Sequence, residues 1–316
     1  MLSRAANSIY WIGRYIERAE NMARLIDVNL HLMLDLSPGT PQPWKPLVAA
    51  TGDLLRFLEH FEVTTRDSVI EFMAFDSENP NSILSCLRAA RENARSIRDV
   101  ISSDMWEHLN ATYLHVSGEG AALEAREAPH DFFSEIKMAG RLFEGLTDDT
   151  LLHGEGYHFC QLGRLIERGD KTSRILDLKH HLPSVPAGSA MEETEWSAVL
   201  QSAHALELYR KRHGRLSRLR IVEFLLLDPE FPRSVHFCLA GAEESLHAIS
   251  GTPRGTFRNP AEQRLGQLRS ELAYVQAEEL LSEGLHQFLD GLQFKLNLAD
   301  DDIAAVFFVQ PAAGAA

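Results

Sequence analysis

Cysteine is scarce in this chain. Three are present among 316 residues, Cys86, Cys160 and Cys238, and no two form a CxxC pair. An odd, scattered set is no disulfide framework, which leaves a reducing compartment as the expectation. Long apolar runs are missing too: none approaches the ~18 residues of a membrane span. Charged residues Arg14, Glu17, Arg18 and Glu20 interrupt the place where a secretory leader would carry its apolar stretch. A soluble cytoplasmic protein is expected. Positive charge is in deficit, with 31 Lys and Arg against 45 Asp and Glu, for a net charge of −14. Such a surface disfavours general nucleic-acid or anionic-membrane binding. Catalytic signatures are equally absent: no GxGxxG opening a helix after a strand, no GxxxxGK[ST], no GxSxG and no HExxH. Period-two alternation with hairpin turns is not convincing anywhere; VEFLLL and AAVFFV are short enough to be strands, but their helical context favours buried helix.

What the chain does contain is a repeat. GRYIERAENMARLID (13–27) returns as GRLIERGDKTSRILD (163–177), a shift of 150. A second echo follows at a shift of 152, where EFMAFDSENPNSILSCL (71–87) matches EFLLLDPEFPRSVHFCL (223–239). Trp44 and Trp196 each lie on an apolar-periodic segment between the echoes. Order and spacing survive, so the whole unit reads as duplicated, with units 1–148 and 149–316, possibly merged into one globular domain, and a disordered tail at 310–316. Ile9, Ile12, Ile16, Ala19, Ala23, Ile26 and Leu30 follow the 3,4 spacing of one side of a long helix. Breakers at SPGTPQP, DSENP, GEG, PSVPAG and GTPRGTFRNP delimit further helices, one of them at about 80–101. Pro80 and Pro232 fall where helices would start, at the first helical position. The expected fold is all-α, two similar helical bundles.

Beside the apolar stripe runs a polar one. Gly13 heads Glu17, Glu20, Arg24, Asp27 and His31; its copy is Gly163, Glu167, Asp170, Arg174, Asp177 and His181. Two readings compete. In the first, the stripes are structural and their charges pair within and between helices, fixing register. In the second, they converge and gather six carboxylates, two arginines and two histidines into one polar cleft. That cleft would hold a divalent metal through carboxylate and imidazole, or clamp a substrate's carboxylate or phosphate with Arg24 or Arg174. Glu244-x-x-His247 and Glu283-x-x-His286 imitate a di-metal bundle motif. Composition alone supplies roughly one such match, and neither has a counterpart in the first unit, so both read as coincidence. Cys86 and Cys238 correspond across the repeat but read as small buried residues. The basic stretch YRKRHGRLSRLR (209–220) reads as a solvated face or as a docking patch for an acidic or phosphorylated partner.

MLSRAANSIYWIGRYIERAENMARLID, LGRLIERGDKTSRILD and SILSCLRAARENARSIRDVIS (82–102) resemble the bacterial alpha-E domain family, all-helical proteins with a Glu-Arg motif, usually in tandem. The motif falls on Glu17–Arg18 and Glu167–Arg168, with Arg14 and Arg164 just before. Gly169 and Ser173 replace Ala19 and Ala23 in the second copy, which weakens its apolar stripe. The resemblance implies genomic company with ATP-grasp carboxylate–amine ligases, transglutaminase-like and Ntn-hydrolase-like proteins, hence a peptide synthesis or modification system. The leading expectation is a non-catalytic helical partner of an ATP-grasp-type ligase. The alternative is an enzyme, possibly metal-dependent, in which Glu17 and Glu167 act as acid/base groups or metal ligands and Arg18 and Arg168 orient them. Self-association by exchange of helical units is a third expectation. The identity of any cofactor stays open.

Overall fold

The computed structural model describes residues 1–35, 44–182, 185–186 and 188–309. The disordered tail expected at 310–316, the SPGTPQP breaker and part of PSVPAG lie outside the described residues. Among the described residues every regular element is helical, and no helix is long and apolar enough to cross a membrane.

The first eight helices are α1 (Ser3–Asp35), α2 (Trp44–Thr51), α3 (Leu54–His60), α4 (Arg66–Ile70), α5 (Ile83–Ser96), α6 (Ser103–Val116), α7 (Ala121–Glu127) and α8 (Pro129–Thr150). The next eight are α9 (Glu155–His181), α10 (Ala190–Ser202), α11 (Leu206–His213), α12 (Arg218–Val222), α13 (Val235–Ser250), α14 (Pro260–Tyr274), α15 (Ala277–Glu283) and α16 (Leu285–Ile303). Long and short helices follow the same order in both series. A five-residue π-helical turn extends α4 (Glu71–Phe75) and another extends α12 (Glu223–Leu227). A third, Ala304–Phe308, extends α16. The two apolar segments are helical, as their context suggests: VEFLLL covers Val222 of α12 and its π turn, and AAVFFV covers the π turn after α16 plus Val309, although no residue of that last turn is fully buried.

The start of α5 differs from expectation. Pro80 and Pro232 do not occupy the first helical position. Ser82 and Ser234 cap α5 and α13 instead, their hydroxyls accepting from the amides of Ser85 and Phe237. The prolines lie two residues earlier, and each carbonyl faces a thiol, Cys86 or Cys238. The helix expected at about 80–101 is thus Ile83–Ser96. The GTPRGTFRNP breaker behaves as its residues dictate: Gly251 ends α13 in the left-handed region at φ +68°, and Asn259 caps α14 ahead of Pro260.

The two long helices are the axis of the molecule. Contacts run from Met1–Glu155 at one end to Arg18–Glu167 further along both, with the close crossing of Tyr10–Gly163 and Gly13–Cys160 between. The helices therefore lie side by side in the same direction. α1 is flanked by α5 and α8, and α9 by α13 and α16. The short helices cross over: α2 lies mainly on α9, while α10 reaches α1. Buried apolar side chains form one continuous core from Ala6 to Ile303, so neither series of helices encloses a core apart from the other.

Candidate functional site

Where α1 meets α9, each presents a glycine to the other's backbone. A Cβ on Gly13 would stand 2.3 Å from the Cys160 carbonyl oxygen, and one on Gly163 would stand 2.1 Å from that of Tyr10. Only glycine permits this approach. One turn further on, the Glu-Arg motifs exchange partners. Arg18 donates to Glu167 from Nε at 2.7 Å and Nη2 at 2.9 Å. Arg168 donates to Glu17 from Nε at 3.1 Å and Nη2 at 2.8 Å. Glu17 is 2% exposed and Glu167 0%.

Each carboxylate has further donors. Arg233 reaches Glu17 at 2.8 Å, as does Asn21. Arg14 reaches Glu167 at 2.9 Å and Lys171 at 3.3 Å. Lys171 corresponds to Asn21, and Arg233 to Asn81, in the repeated order. The extra positive charge thus comes from a different position on each side, and both carboxylates still face more than one cation. Arg14 also pairs with Asp300 at 2.6 Å, while Arg164 pairs with Glu144. Burial alone would raise the pKa of both glutamates, but Arg168 and Arg233 hold Glu17 well below the usual carboxylate range. Arg18, Lys171 and Arg14 do the same for Glu167. An ionised, buried carboxylate already gripped by two or three cations is a tie between helices. Taking a proton would break the tie.

The rest of each stripe departs from the convergence expected of a single cleft. Glu20 pairs with Arg24 and with Arg233, and Asp170 with Arg174 at 2.9 Å and Lys171 at 3.1 Å. Asp27 and Asp177 turn to different neighbours. Asp27 meets His130 at 2.6 Å and Lys137 at 2.6 Å, both on α8, with His31 at 3.7 Å. Asp177 meets His286 on α16 at 2.8 Å, with His181 at 3.7 Å. His130, Lys137, His286 and Arg233 carried no signal in the stripes themselves. Of these, His286 is the one the sequence singles out, within Glu283-x-x-His286 and as a coincidence; Arg233 stands where the first echo has Asn81.

A cleft of about 1020 Å³ opens beside the C-terminal half of α1, walled by α8, α10 and α11. Arg24, Asp27, His31, Lys137, Arg141 and Arg210 are among its lining residues. Among the described residues neither Arg141 nor Arg210 has a carboxylate partner; Arg141 donates to His204 Nε2 at 3.4 Å. His204 sits at the α10–α11 corner with φ +54°, a left-handed conformation that costs a non-glycine residue energy. Burial, then the neighbouring Arg233, pull the Arg24 guanidinium down to about 9. Among the described residues its Nε has no hydrogen-bond partner. The basic stretch 209–220 is divided: Lys211 pairs with Glu207 and Arg212 with Asp228 and Glu230, while Arg210 faces the cleft.

The remaining candidates separate from this site. Glu244 pairs with Arg254, and His247 is buried near Glu243, so that Glu-x-x-His is no shared ligand pair. Glu283 takes no part in the cluster around His286. Burial pushes the thiols of Cys86, Cys160 and Cys238 up to about 12, which leaves them unreactive at neutral pH.

Three curated proteins are similar over 325 aligned residues. An uncharacterised protein of Mycobacterium bovis is 25% identical, as is one of the CDC 1551 strain of Mycobacterium tuberculosis. A third, from the H37Rv strain, is 24% identical. The alignment covers 96% of this chain and 36% of each relative, so the chain spans about a third of their length. No solved structure matches. The family model Alpha-E, described as a predicted alpha-helical domain with a conserved ER motif, matches residues 1–308. That match spans nearly the whole chain, and the chain belongs to the Alpha-E family.

Proposed function

We propose that this chain is a helical accessory protein of a peptide synthesis or modification system, working in the cytoplasm with an ATP-grasp-type carboxylate–amine ligase. We read its two helix series as a tandem duplication divided near residue 148. The repeated order of sixteen helices and the reciprocal contacts of Gly13 and Gly163 support that reading.

The observation that carries the functional reading is the division of the polar stripe. Its Glu-Arg pairs are closed on each other in the interior, while Arg24, Arg141 and Arg210 border an open cleft. An anion entering that cleft would relieve the under-compensated Arg24 and occupy Arg141 and Arg210. A carboxylate-bearing peptide, the substrate class of such a ligase, has the matching charge. The protein would hold that peptide for the ligase and contribute no acid/base group of its own. Relatives nearly three times as long, in which a segment like this chain is one part of a larger protein, suit a module that works in company.

The test is reconstitution. Purified protein and the ligase encoded beside it are expected to co-elute, and adding the protein should raise ligation of an acidic peptide. Arg141→Ala/Arg210→Ala should remove the stimulation and leave co-elution intact. Neither association nor any change in ligase rate would overturn the proposal.

A further inference from the structure

The ends of the two polar stripes carry a second pattern that the Glu-Arg lock does not use. Asp27, His31 and His130 bring ligand atoms within 4.8 Å of one another, and so do Asp177, His286 and Asp290. His181 lies beside the second cluster, 3.7 Å from Asp177. The clusters occupy equivalent places: Asp27 and Asp177 on the long helices, His130 near the start of α8 and His286 at the start of α16. We propose that each is a binding site for a first-row divalent cation of the zinc type, one at the C-terminal end of α1 and one at that of α9.

The donor chemistry fits. Two imidazoles with one carboxylate, or one imidazole with two carboxylates, are donor sets for such cations. Tetrahedral coordination at bond lengths near 2.0–2.2 Å places ligand atoms about 3.4 Å apart. Asp27 Oδ1 is 2.6 Å from His130 Nδ1 and 3.7 Å from His31 Nδ1, spacings that bracket this value; His31 Nδ1 donates to the Asp27 carbonyl at 2.9 Å, so its ligation exchanges that hydrogen bond for the cation. The short contact is a hydrogen bond whose proton a cation would displace. Asp177 Oδ1 to His286 Nδ1, at 2.8 Å, repeats it; Asp290 Oδ2 faces the other ring nitrogen, Nε2, at 3.4 Å and joins the same cation only by swinging to the Nδ1 side.

Surroundings favour ligation over a merely structural contact. Lys137 holds the second oxygen of Asp27 at 2.6 Å, which fixes the carboxylate and leaves Oδ1 toward the imidazoles, while its charge works against a cation there. The imidazoles are accessible, the His31 side chain being 54% exposed, so a cation can enter. The rings already lie together: His31 and His130 have centroids 3.9 Å apart, and His180 stacks on His286 at 3.7 Å. Asp27, His31 and Lys137 also line the large cleft. Three protein ligands leave a coordination position there for water or an anionic oxygen. The proposal is independent of the ligase partnership, because it is read on the isolated protein.

The test uses untagged full-length protein, stripped with chelator and titrated with Zn²⁺ by calorimetry, with metal content measured after dialysis. Two equivalents are expected, one for each cluster. His130→Ala should lose one, His286→Ala the other, and the double variant both. Glu244→Gln, outside both clusters, should keep two. Melting of the apo variants at the wild-type temperature separates ligand loss from misfolding, and Asp27→Asn should repeat the His130→Ala result. One equivalent, lost with His130→Ala alone, would keep the α1 site and overturn the α9 site. Less than one equivalent in the wild type, or retention in the single and double variants as adventitious binding, would overturn the proposal.

Discussion

Arg18 holds Glu167 through two of its nitrogens, and 150 residues along the chain Arg168 holds Glu17 in the same way. Neither motif is complete on its own helix. Glu167→Gln leaves Arg18, Arg14 and Lys171 facing each other in the interior without their shared anion. Breaking a buried pair from one side costs ~3–5 kcal/mol. Urea unfolding of Glu167→Gln and of Glu17→Gln should each show a loss of that order, and Arg18→Lys, which keeps charge but not the fork, a smaller one.

Gly13→Ala and Gly163→Ala should both destabilise, because the new methyl meets a carbonyl oxygen of the opposing backbone and no flexible side chain can yield. A cost of about 1–3 kcal/mol or more is expected from overpacking. Gly145→Ala is the control. Nothing lies within 4 Å of a Cβ there, mid-helix in α8, so it should stabilise by about 0.5–1 kcal/mol. Thermal melts of the three variants check the ordering.

The buried carboxylates predict an acid limb. Glu17 and Glu167 have folded pKa values below their unfolded ones, and Asp170 sits at about 2, burial being outweighed by Lys171 and Arg174. Groups with depressed folded pKa values contribute stability that is whole above the unfolded value, near 4.3 for Glu and 3.9 for Asp. It drains away as pH falls through the folded value. Wild-type stability should therefore fall from about pH 5 toward pH 2. Glu17→Gln and Glu167→Gln, less stable at neutral pH, should show shallower slopes over that range. Parallel slopes would mean that these carboxylates do not carry the acid limb.

The cleft predicts salt-sensitive binding of acidic peptides. Arg141→Ala/Arg210→Ala should weaken a glutamate-rich peptide about ten- to hundredfold, the range for losing hydrogen bonds to charged groups. Raising ionic strength should weaken the wild type in the same direction. Fluorescence anisotropy with a labelled peptide measures both.

Much of the lock was legible in the sequence, because Gly13 and Glu17 lie four residues apart on one helix face, Arg18 follows Glu17, and the copy at 163–168 repeats the arrangement. Which Arg served which Glu was not legible. Periodicity gives a face, and only packing tells whether a pair closes within a helix or across to its copy. The pairing of His130 with Asp27 and of His286 with Asp177 was illegible for a plainer reason: each histidine lies more than 100 residues from its aspartate, and Glu283-x-x-His286 points to a different carboxylate. The helix starts PHDFF (129–133) and LHQFL (285–289) share their His and Phe, but at a shift of 156, outside the 150 and 152 of the two echoes. The Pro80 and Pro232 expectation failed because Ser82 and Ser234 are stronger caps, and the prolines belong to the turn before them.

A double-mutant cycle between Arg18 and Glu167 addresses the central claim most directly. Arg18→Met, Glu167→Leu and the double variant would be compared by urea unfolding. If the Glu-Arg motif is the tie between the long helices, each single variant loses several kcal/mol and the double variant loses less than their sum, a coupling above ~1 kcal/mol. Additive losses would contradict the account. They would mean that the two residues stabilise the fold separately and that the reciprocal pairing is not what the motif is for.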